Sequence, residues 1–224
     1  MTSLEEEFKN LLGNRYHIYT HVETYEGPSI EESNKVENFD ELFEHSPNDF
    51  SNNESVKRVK DIVNKDRFAL DILILDIIKE FEYKSYNDKK IKFEYYRANP
   101  NQEYILYGDK NRIGQVIFNL ISNSIKFILR DGKIIIIIEK AKSNYKNKTI
   151  IVTIKDTGIG IDDEIYPNLF TKFVTKSFQG TGLGLYISKN IIEAHGGKIW
   201  GENNKDGKGA TFGFRLPIKN RPIN

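Results

Sequence analysis

The stretch 109–127 constrains the fold more than other parts of the chain, because it has two chemically different helical faces. Successive residues of an α-helix advance by about 100°, so side chains three and four positions apart share a face. This spacing predicts that one face is buried in a core. That face consists of Ile113, Val116, Ile117, Leu120, Ile121, Ser124 and Ile128. Asp109 is the expected N-cap. The chain should therefore build a helix that packs against a core on one side and presents polar groups on the other.

The polar stripe of this helix is rich in carboxamides. It contains Gln115, Asn119 and Asn123, with Arg112 and Lys126 beside them. A solvated helix face usually mixes Lys and Glu. Carboxamide oxygens can bind Mg²⁺ and cations can contact phosphate oxygens, so a metal–polyphosphate site is a second interpretation. Taken alone the stripe fits an ordinary polar face better, and the downstream sequence reverses that preference.

Composition excludes several classes of protein. The chain has 224 residues with a net charge of +1, which does not indicate a general nucleic-acid binder. It has no cysteine, so disulfides, thiolate nucleophiles and cysteine-bound metals are excluded. The N-terminus is acidic and the longest apolar runs, such as 134–138, are too short to span a bilayer. We expect an intracellular, cytoplasmic protein without a membrane span of its own.

The chain divides into segments of different composition. Residues 1–53 are partly structured or linker-like, and residues 54–65 form a short amphipathic helix. Residues 66–219 carry the regular patterns of one domain, and 220–224 are a tail. Periodicity predicts a helix over 70–81 and strands over 90–96, 104–107, 133–139, 149–155, 198–202 and 210–216. These elements predict an α+β fold, a two-layer sandwich with a mixed sheet and helices on one face.

The strand 149–155 leads directly into Asp156-Thr157-Gly158-Ile159-Gly160. An Asp at the end of a buried strand, followed by glycines that admit a flat ligand, can accept a hydrogen bond from an exocyclic amine such as that of adenine. An ordinary Asx turn is the alternative for this segment alone.

A glycine-rich turn, Gly180-Thr181-Gly182-Leu183-Gly184-Leu185, opens a later amphipathic helix. Bare N–H groups and the helix dipole make such a turn an anion site. A dinucleotide-binding turn is disfavoured, because the last glycine is replaced by Leu185 and no buried strand precedes the loop. A phosphate-binding loop of the Walker type is absent, because Gly197-Lys198 is followed by Ile199.

The order of these motifs resembles one family. The Asn-rich helix, Asp-x-Gly-x-Gly, Leu169-Phe170-Thr171-Lys172-Phe173 and Gly-x-Gly-x-Gly follow one another as in the catalytic ATP-binding domain of two-component sensor histidine kinases. That domain has the Bergerat fold, shared with the gyrase-type (GHKL) ATPases. The segment around His195-Gly196-Gly197 is also similar, and the resemblance covers about 66–219.

The resemblance implies roles for individual residues. Asn123, with Asn119, would hold Mg²⁺ against the phosphates of ATP, while Lys126 and Arg112 would neutralise phosphate charge. Asp156 would accept from the adenine amine. The other residues expected around the nucleotide and its lid are Phe127, Gly158, Gly160, Ile161, Phe170, Phe173, Lys176, Gly180, Thr181, Gly182, Leu183, Gly184 and Leu185. His195 is interpreted as a structural residue at a helix end.

Asn119 also indicates which reaction the site favours. The hydrolytic relatives and the serine kinases of this fold have a Glu there to activate water or a hydroxyl. A carboxamide cannot take a proton, so hydrolysis should be slow and the γ-phosphate kept for a nucleophile such as histidine.

The phosphoacceptor histidine is expected elsewhere. His17, His21 and His45 lack the acidic residue and Arg-Thr-Pro run of the family's phosphorylation box, and the bridge 174–179 is short for a lid. The implied partners are a histidine-containing dimerisation domain and a response regulator receiver domain. The resemblance also implies that residues 54–65 could be the stub of the second helix of a dimerisation hairpin. Two alternatives stay open, a regulatory module that binds ATP without transfer and a gyrase-type ATPase.

Overall fold

The computed structural model describes residues 17–19, 66–83, 90–143, 147–175 and 181–218. The strands among these residues are β1 His17–Tyr19, β2 Asp66–Ala69, β3 Lys92–Arg97, β4 Ile105–Gly108, β5 Lys133–Ser143, β6 Asn147–Asp156, β7 Lys198–Asn203 and β8 Ala210–Pro217. The helices are α1 Leu70–Tyr83, α2 Lys110–Phe127 and α3 Gly184–Ala194, with a turn of 3-10 helix at Tyr166–Asn168. The helices and strands predicted within these ranges are confirmed, and their ends shift by a few residues. The helix predicted at 54–65 lies outside the described residues.

The main sheet is mixed, as predicted. Its strand order is β1-β3-β5-β6-β8-β7, with β3 and β5 parallel and the other neighbours antiparallel. Alternate residues of β5 point to the core: Ile134, Ile136 and Ile138 have no exposed surface. Their cross-strand partners continue that face onto β6, where Ile136 pairs with Ile154.

The helices cover this one face of the sheet. The stripe predicted on α2 is buried from Ile113 to Ser124, and its last residue, Ile128, is buried at the C-cap. The stripe joins one core cluster with α1, α3 and the inward residues of the sheet. From β5 the cluster includes Ile134, Ile136 and Ile138, as the two-residue period of a strand with one face against the helices requires.

A separate two-stranded ribbon corrects one expectation. The strand predicted at 104–107 was assigned to the main sheet, but β4 pairs only with β2 among the described residues, in an antiparallel ribbon. Strand β2 was not predicted, because its four residues, Asp-Arg-Phe-Ala, contain one large apolar side chain and no alternation. The ribbon ends beside Gly108 and delivers the chain into α2.

Helix α2 starts as the sequence predicts. Asp109 is the N-cap, and its Oδ1 accepts a hydrogen bond from the Arg112 N–H at 3.0 Å. This cap satisfies one of the free donors of the first turn and fixes where α2 begins. Within the described ranges, none of the helices combines the length and apolar character that crossing a bilayer requires.

Candidate functional site

Asn119, in the middle of the carboxamide stripe of α2, lies against the first turns of α3. Asn119 donates from Nδ2 to Ser188 Oγ at 2.9 Å. A Cβ atom on Gly184, the first residue of α3, would lie 2.3 Å from Asn119 Oδ1. Glycine is therefore needed for this close approach, and the start of α3 carries N–H groups without helical partners. The fold thus places a carboxamide oxygen beside a helix end that favours negative charge.

His195 joins the two helices a second time, at the start of α2 and the end of α3. The Asp109 N–H donates to His195 Nε2 at 3.0 Å, and His195 Nδ1 lies 2.7 Å from the Ile191 carbonyl oxygen. Since Nε2 accepts, the neutral ring carries its proton on Nδ1, which donates to Ile191. His195 is buried and links the C-cap of α3 to the N-cap of α2. Its expected place at a helix end is confirmed, and its structural role stays a prediction.

The remaining predicted residues of α2 continue the polar stripe. Asn123 and Lys126 are partly buried, and Lys126 Nζ lies 5.6 Å from the centroid of the Phe127 ring. Arg112 donates from Nη1 to Gln115 Oε1 at 3.2 Å. Their contacts with phosphate or metal stay predictions.

The donor set limits how a metal ion could be held. The described part of the chain has no group of three or more His, Cys, Asp or Glu residues that could hold a metal ion. Asn119 Nδ2 is engaged by Ser188, which leaves its Oδ1 as the acceptor. Mg²⁺ keeps few protein ligands when it binds with phosphates, so carboxamide oxygens fit that ion.

Asp156 closes β6 as a buried carboxylate. Its Oδ1 accepts from the N–H groups of Gly158 at 2.9 Å and Ala210 at 3.2 Å, and its Oδ2 accepts from Ser124 Oγ at 3.2 Å. Burial raises the pKa of the Asp156 carboxyl above its ordinary value, and the three donors act in the opposite direction. The result is a fixed acceptor of the kind that can bind an exocyclic amine.

The turn after Asp156 is attached to the end of α2. The Ile159 N–H donates to the Phe127 carbonyl oxygen at 3.2 Å. A Cβ atom on Gly158 would lie 2.7 Å from that same oxygen, so the approach requires glycine. Phe127 therefore lies beside the Asp156 turn. Gly160 has φ +81°, and Ile161 is buried in the core.

Two asparagines at the end of β7 hold this turn, and the sequence did not reveal them. Asn203 accepts from the Ile161 N–H at 2.6 Å and donates to the Ile161 carbonyl oxygen at 2.8 Å. Asn204 donates from Nδ2 to the Asp156 carbonyl oxygen at 2.8 Å. An Asn pair after a strand signals only a local turn, and nothing nearby in the sequence identifies its distant partner.

The glycine turn meets the Phe-containing segment through its backbone. The Phe173 N–H donates to the Gly182 carbonyl oxygen at 3.1 Å. Both residues have positive φ, 64° for Phe173 and 67° for Gly182. Phe173 is 69% exposed, so its ring adds little packing to this backbone contact. Lys176 and Gly180 lie outside the described residues.

The other predicted residues of the glycine turn, and Phe170 of the Phe-containing segment, are each placed by a local contact. Thr181 is exposed, and its Oγ1 accepts from the Leu183 N–H at 3.4 Å. Leu183 is the N-cap of α3, while Leu185 and Phe170 pack against the core. The turn thus enters α3 through a short, well-anchored connection.

Comparisons with known proteins agree with this arrangement. Residues 108–220 match the family described as histidine kinase-, DNA gyrase B-, and HSP90-like ATPase. The sensor protein FixL of Bradyrhizobium diazoefficiens is 38% identical over 122 residues, which cover 54% of this chain. The chain spans 23% of the length of FixL.

Solved structures give the same result for the fold. The catalytic domain of histidine kinase ThkA is 34% identical with a TM-score of 0.60, and the match covers 69% of this chain and 96% of that domain. Histidine kinase ThkA in complex with response regulator protein TrrA is 29% identical with a TM-score of 0.59, covering 74% of this chain and 47% of that one.

Proposed function

Because the chain belongs to the histidine kinase-, DNA gyrase B-, and HSP90-like ATPase family, we propose that it is the ATP-binding catalytic unit of a two-component sensor histidine kinase. Its reaction would transfer the γ-phosphate of ATP to a histidine side chain in a phosphorelay. The observation that carries this proposal is the contact between Asn119 of α2 and Gly184 at the start of α3. It supports one site in which carboxamides and bare amides act on the same triphosphate.

The residues divide by the part of ATP that each would bind. Asp156 accepts from the adenine amine, and Phe127 borders the base. Gly182 and Gly184 leave backbone amides open to the phosphates, and Lys126 with Arg112 neutralises their charge. The support is positional: Asp156 is buried at the end of β6, and the other groups lie on or beside the facing helices.

Mg²⁺ is the metal that the donor set favours. Asn119 and Asn123 would hold it through their Oδ1 atoms, since Asn119 Nδ2 is turned to Ser188. When bound, the ion would supply Lewis-acid neutralisation of the phosphate oxygens. The chain's own contribution is to fix the carboxamides and to exclude a proton acceptor from this position.

Transfer, and not hydrolysis, is the favoured branch. Asn119 stands where a general base would be needed, and a carboxamide cannot take a proton. A site that only positions the phosphoryl group and neutralises its charge cannot activate a weak nucleophile. It therefore needs one that reacts without a general base, such as a neutral imidazole.

The phosphoacceptor and downstream partner lie outside this chain in our proposal. The family's phosphorylation box is absent around His17, His21 and His45, and the chain spans 23% of FixL. A histidine-containing dimerisation domain would supply the nucleophile. A response regulator would receive the phosphoryl group, which the ThkA–TrrA complex supports by analogy. The ATP requirement supports a cytoplasmic setting, with 66–219 as the catalytic unit.

The proposal is tested by mixing the protein with γ-labelled ATP, Mg²⁺ and a separate histidine-hairpin domain from a sensor kinase. We expect acid-labile label on the hairpin, and none with Asn123→Ala. Asn101→Ala, the same change in an exposed loop, is the matched control and should transfer label normally.

Other outcomes identify the alternatives. Tight binding of ATP without label on any hairpin would indicate a regulatory nucleotide-binding module. Rapid release of phosphate by the protein alone, lost in Asn123→Ala, would indicate a gyrase-type ATPase.

A further inference from the structure

Ser124 is a polar residue on the buried face of α2. It is 1% exposed, among positions filled by Ile and Leu. Alanine would form the helix better and bury no hydroxyl at such a position. The hydroxyl has a specific partner, because Ser124 Oγ donates to Asp156 Oδ2 at 3.2 Å. This bond connects the helix of the carboxamide stripe to the carboxylate at the end of β6.

The hydrogen bonds of Asp156 leave one acceptor direction open. An ionised carboxylate offers about four lone-pair directions. Two N–H groups, from Gly158 and Ala210, converge on Oδ1, and Ser124 occupies one side of Oδ2. The open direction is therefore on Oδ2, and its orientation depends on Ser124, because Oδ2 has no second donor among the described residues.

Ser124 also matters because none of the cations that the structure describes balances this carboxylate. In the described ranges, no Lys, Arg or His forms an ion pair with Asp156, and neighbouring Lys155 pairs with Asp206 at 3.9 Å. The acceptor is therefore supported by neutral donors alone, and each of the three has a large share in that support.

We propose that Ser124 is a specificity-determining positioning residue, whose hydroxyl aims the open acceptor of Asp156 at the exocyclic amine of a 6-aminopurine nucleotide. The inference rests on the proposed function, since it assumes that Asp156 reads the base. Ser124 would contact Asp156 and not the nucleotide. It would therefore change the relative affinity for different bases and leave the phosphate contacts unchanged.

The test measures equilibrium binding of two ligands that differ only in the amine, ATP and purine riboside triphosphate. In Ser124→Ala we expect ATP to bind about tenfold more weakly, in line with loss of a hydrogen bond to a charged group. Purine riboside triphosphate should change by less than about twofold. Both are measured with Mg²⁺ and with chelator, so the result does not depend on catalysis.

The matched control is Ser188→Ala, the other buried serine that bonds a site residue. Ser188 contacts Asn119, on the phosphate side, so this variant should affect both ligands equally. In the background of Asp156→Asn, Ser124→Ala should have no further selective effect on ATP, because the acceptor it positions is gone. Ser124→Cys keeps the volume with a weaker donor and should give an intermediate loss, which also serves if the alanine variant folds poorly.

Two failures are distinguishable. If the wild-type protein binds neither nucleotide, the proposed function is wrong. If it binds ATP but Ser124→Ala weakens both ligands equally, or neither, the role of Ser124 is overturned and the proposed function stands.

Discussion

The carboxyl group of Asp156 is buried, yet its proposed role as an acceptor for the adenine amine uses the ionised form. Burial raises its pKa in the folded protein, against the hydrogen bonds of Gly158, Ala210 and Ser124. A buried acceptor of this kind reduces stability in exchange for recognition, and such trade-offs are typical of binding sites.

This conflict predicts a pH effect of defined sign. Above the folded pKa the buried carboxylate destabilises the fold, and that cost is relieved as pH falls through the raised pKa toward the ordinary value. As pH falls from the raised pKa to the ordinary value, the free energy of unfolding of the wild type should therefore increase relative to that of Asp156→Asn. Urea denaturation of both proteins across acidic pH measures it. A constant difference, or one of opposite sign, would contradict the raised pKa.

The backbone conformation of Phe173 also reduces the stability of the fold. Its φ of 64° is unfavourable for a residue with a bulky side chain, and its ring is exposed. Phe173→Gly should therefore be more stable than Phe173→Ala by about 1 kcal/mol, because both lose the ring but only glycine adopts the backbone freely. Chemical denaturation compares the pair. Equal stabilities would show that the left-handed backbone is not maintained in solution.

At the scale of elements, α2 and α3 form the frame of the site. They are joined near the start of α3 by Asn119 and Ser188, and near its end by His195 and Asp109. The two helices therefore run antiparallel, and their relative position fixes the distance between the carboxamides and the glycine turn.

His195 should affect stability and not act in phosphate transfer. His195→Leu leaves the buried Asp109 N–H without a partner, at a cost of about 1–3 kcal/mol. His195→Gln keeps an acceptor and should lose less. Thermal unfolding measures the order of the two variants. Label transfer should persist in both at temperatures where they stay folded, and its complete loss in a folded His195→Gln would contradict a structural role.

At the scale of the whole molecule, the candidate site lies within the part matched by the family. The predicted site residues run from Arg112 to Leu185, inside the matched segment 108–220. Strand β1, from the N-terminal segment, pairs with β3 at the edge of the sheet and contributes no predicted site residue.

A fragment of residues 66–219 should therefore bind ATP with an affinity within about twofold of the full chain. Removal of β1 exposes the edge of β3, so we expect some loss of solubility or stability without loss of binding. Calorimetric titration of both proteins decides this. A fragment that keeps its circular dichroism spectrum but loses ATP binding would show that residues before Asp66 or after Lys219 contribute to the site.

Local patterns in the sequence determined the elements and the chemistry of the site. The helical period of 109–127 predicted α2 and its buried face, and the Asp109 cap marked its start. Alternation predicted β3, an isoleucine-rich run predicted β5, and ordered motifs identified the family. The signals for helices and strands are carried by residues within about one turn or one strand of each other, and the motifs are short runs in a fixed order, so a single sequence contains them.

Only the tertiary structure decided which of these groups meet. The contacts Ser124–Asp156, Asn119–Ser188 and Asp109–His195 span 32, 69 and 86 residues. The ribbon β2–β4 depends likewise on a partner far along the chain. Such pairings result from how the layers pack, because the period of an element fixes which face is buried but not which side chain of another element lies against it.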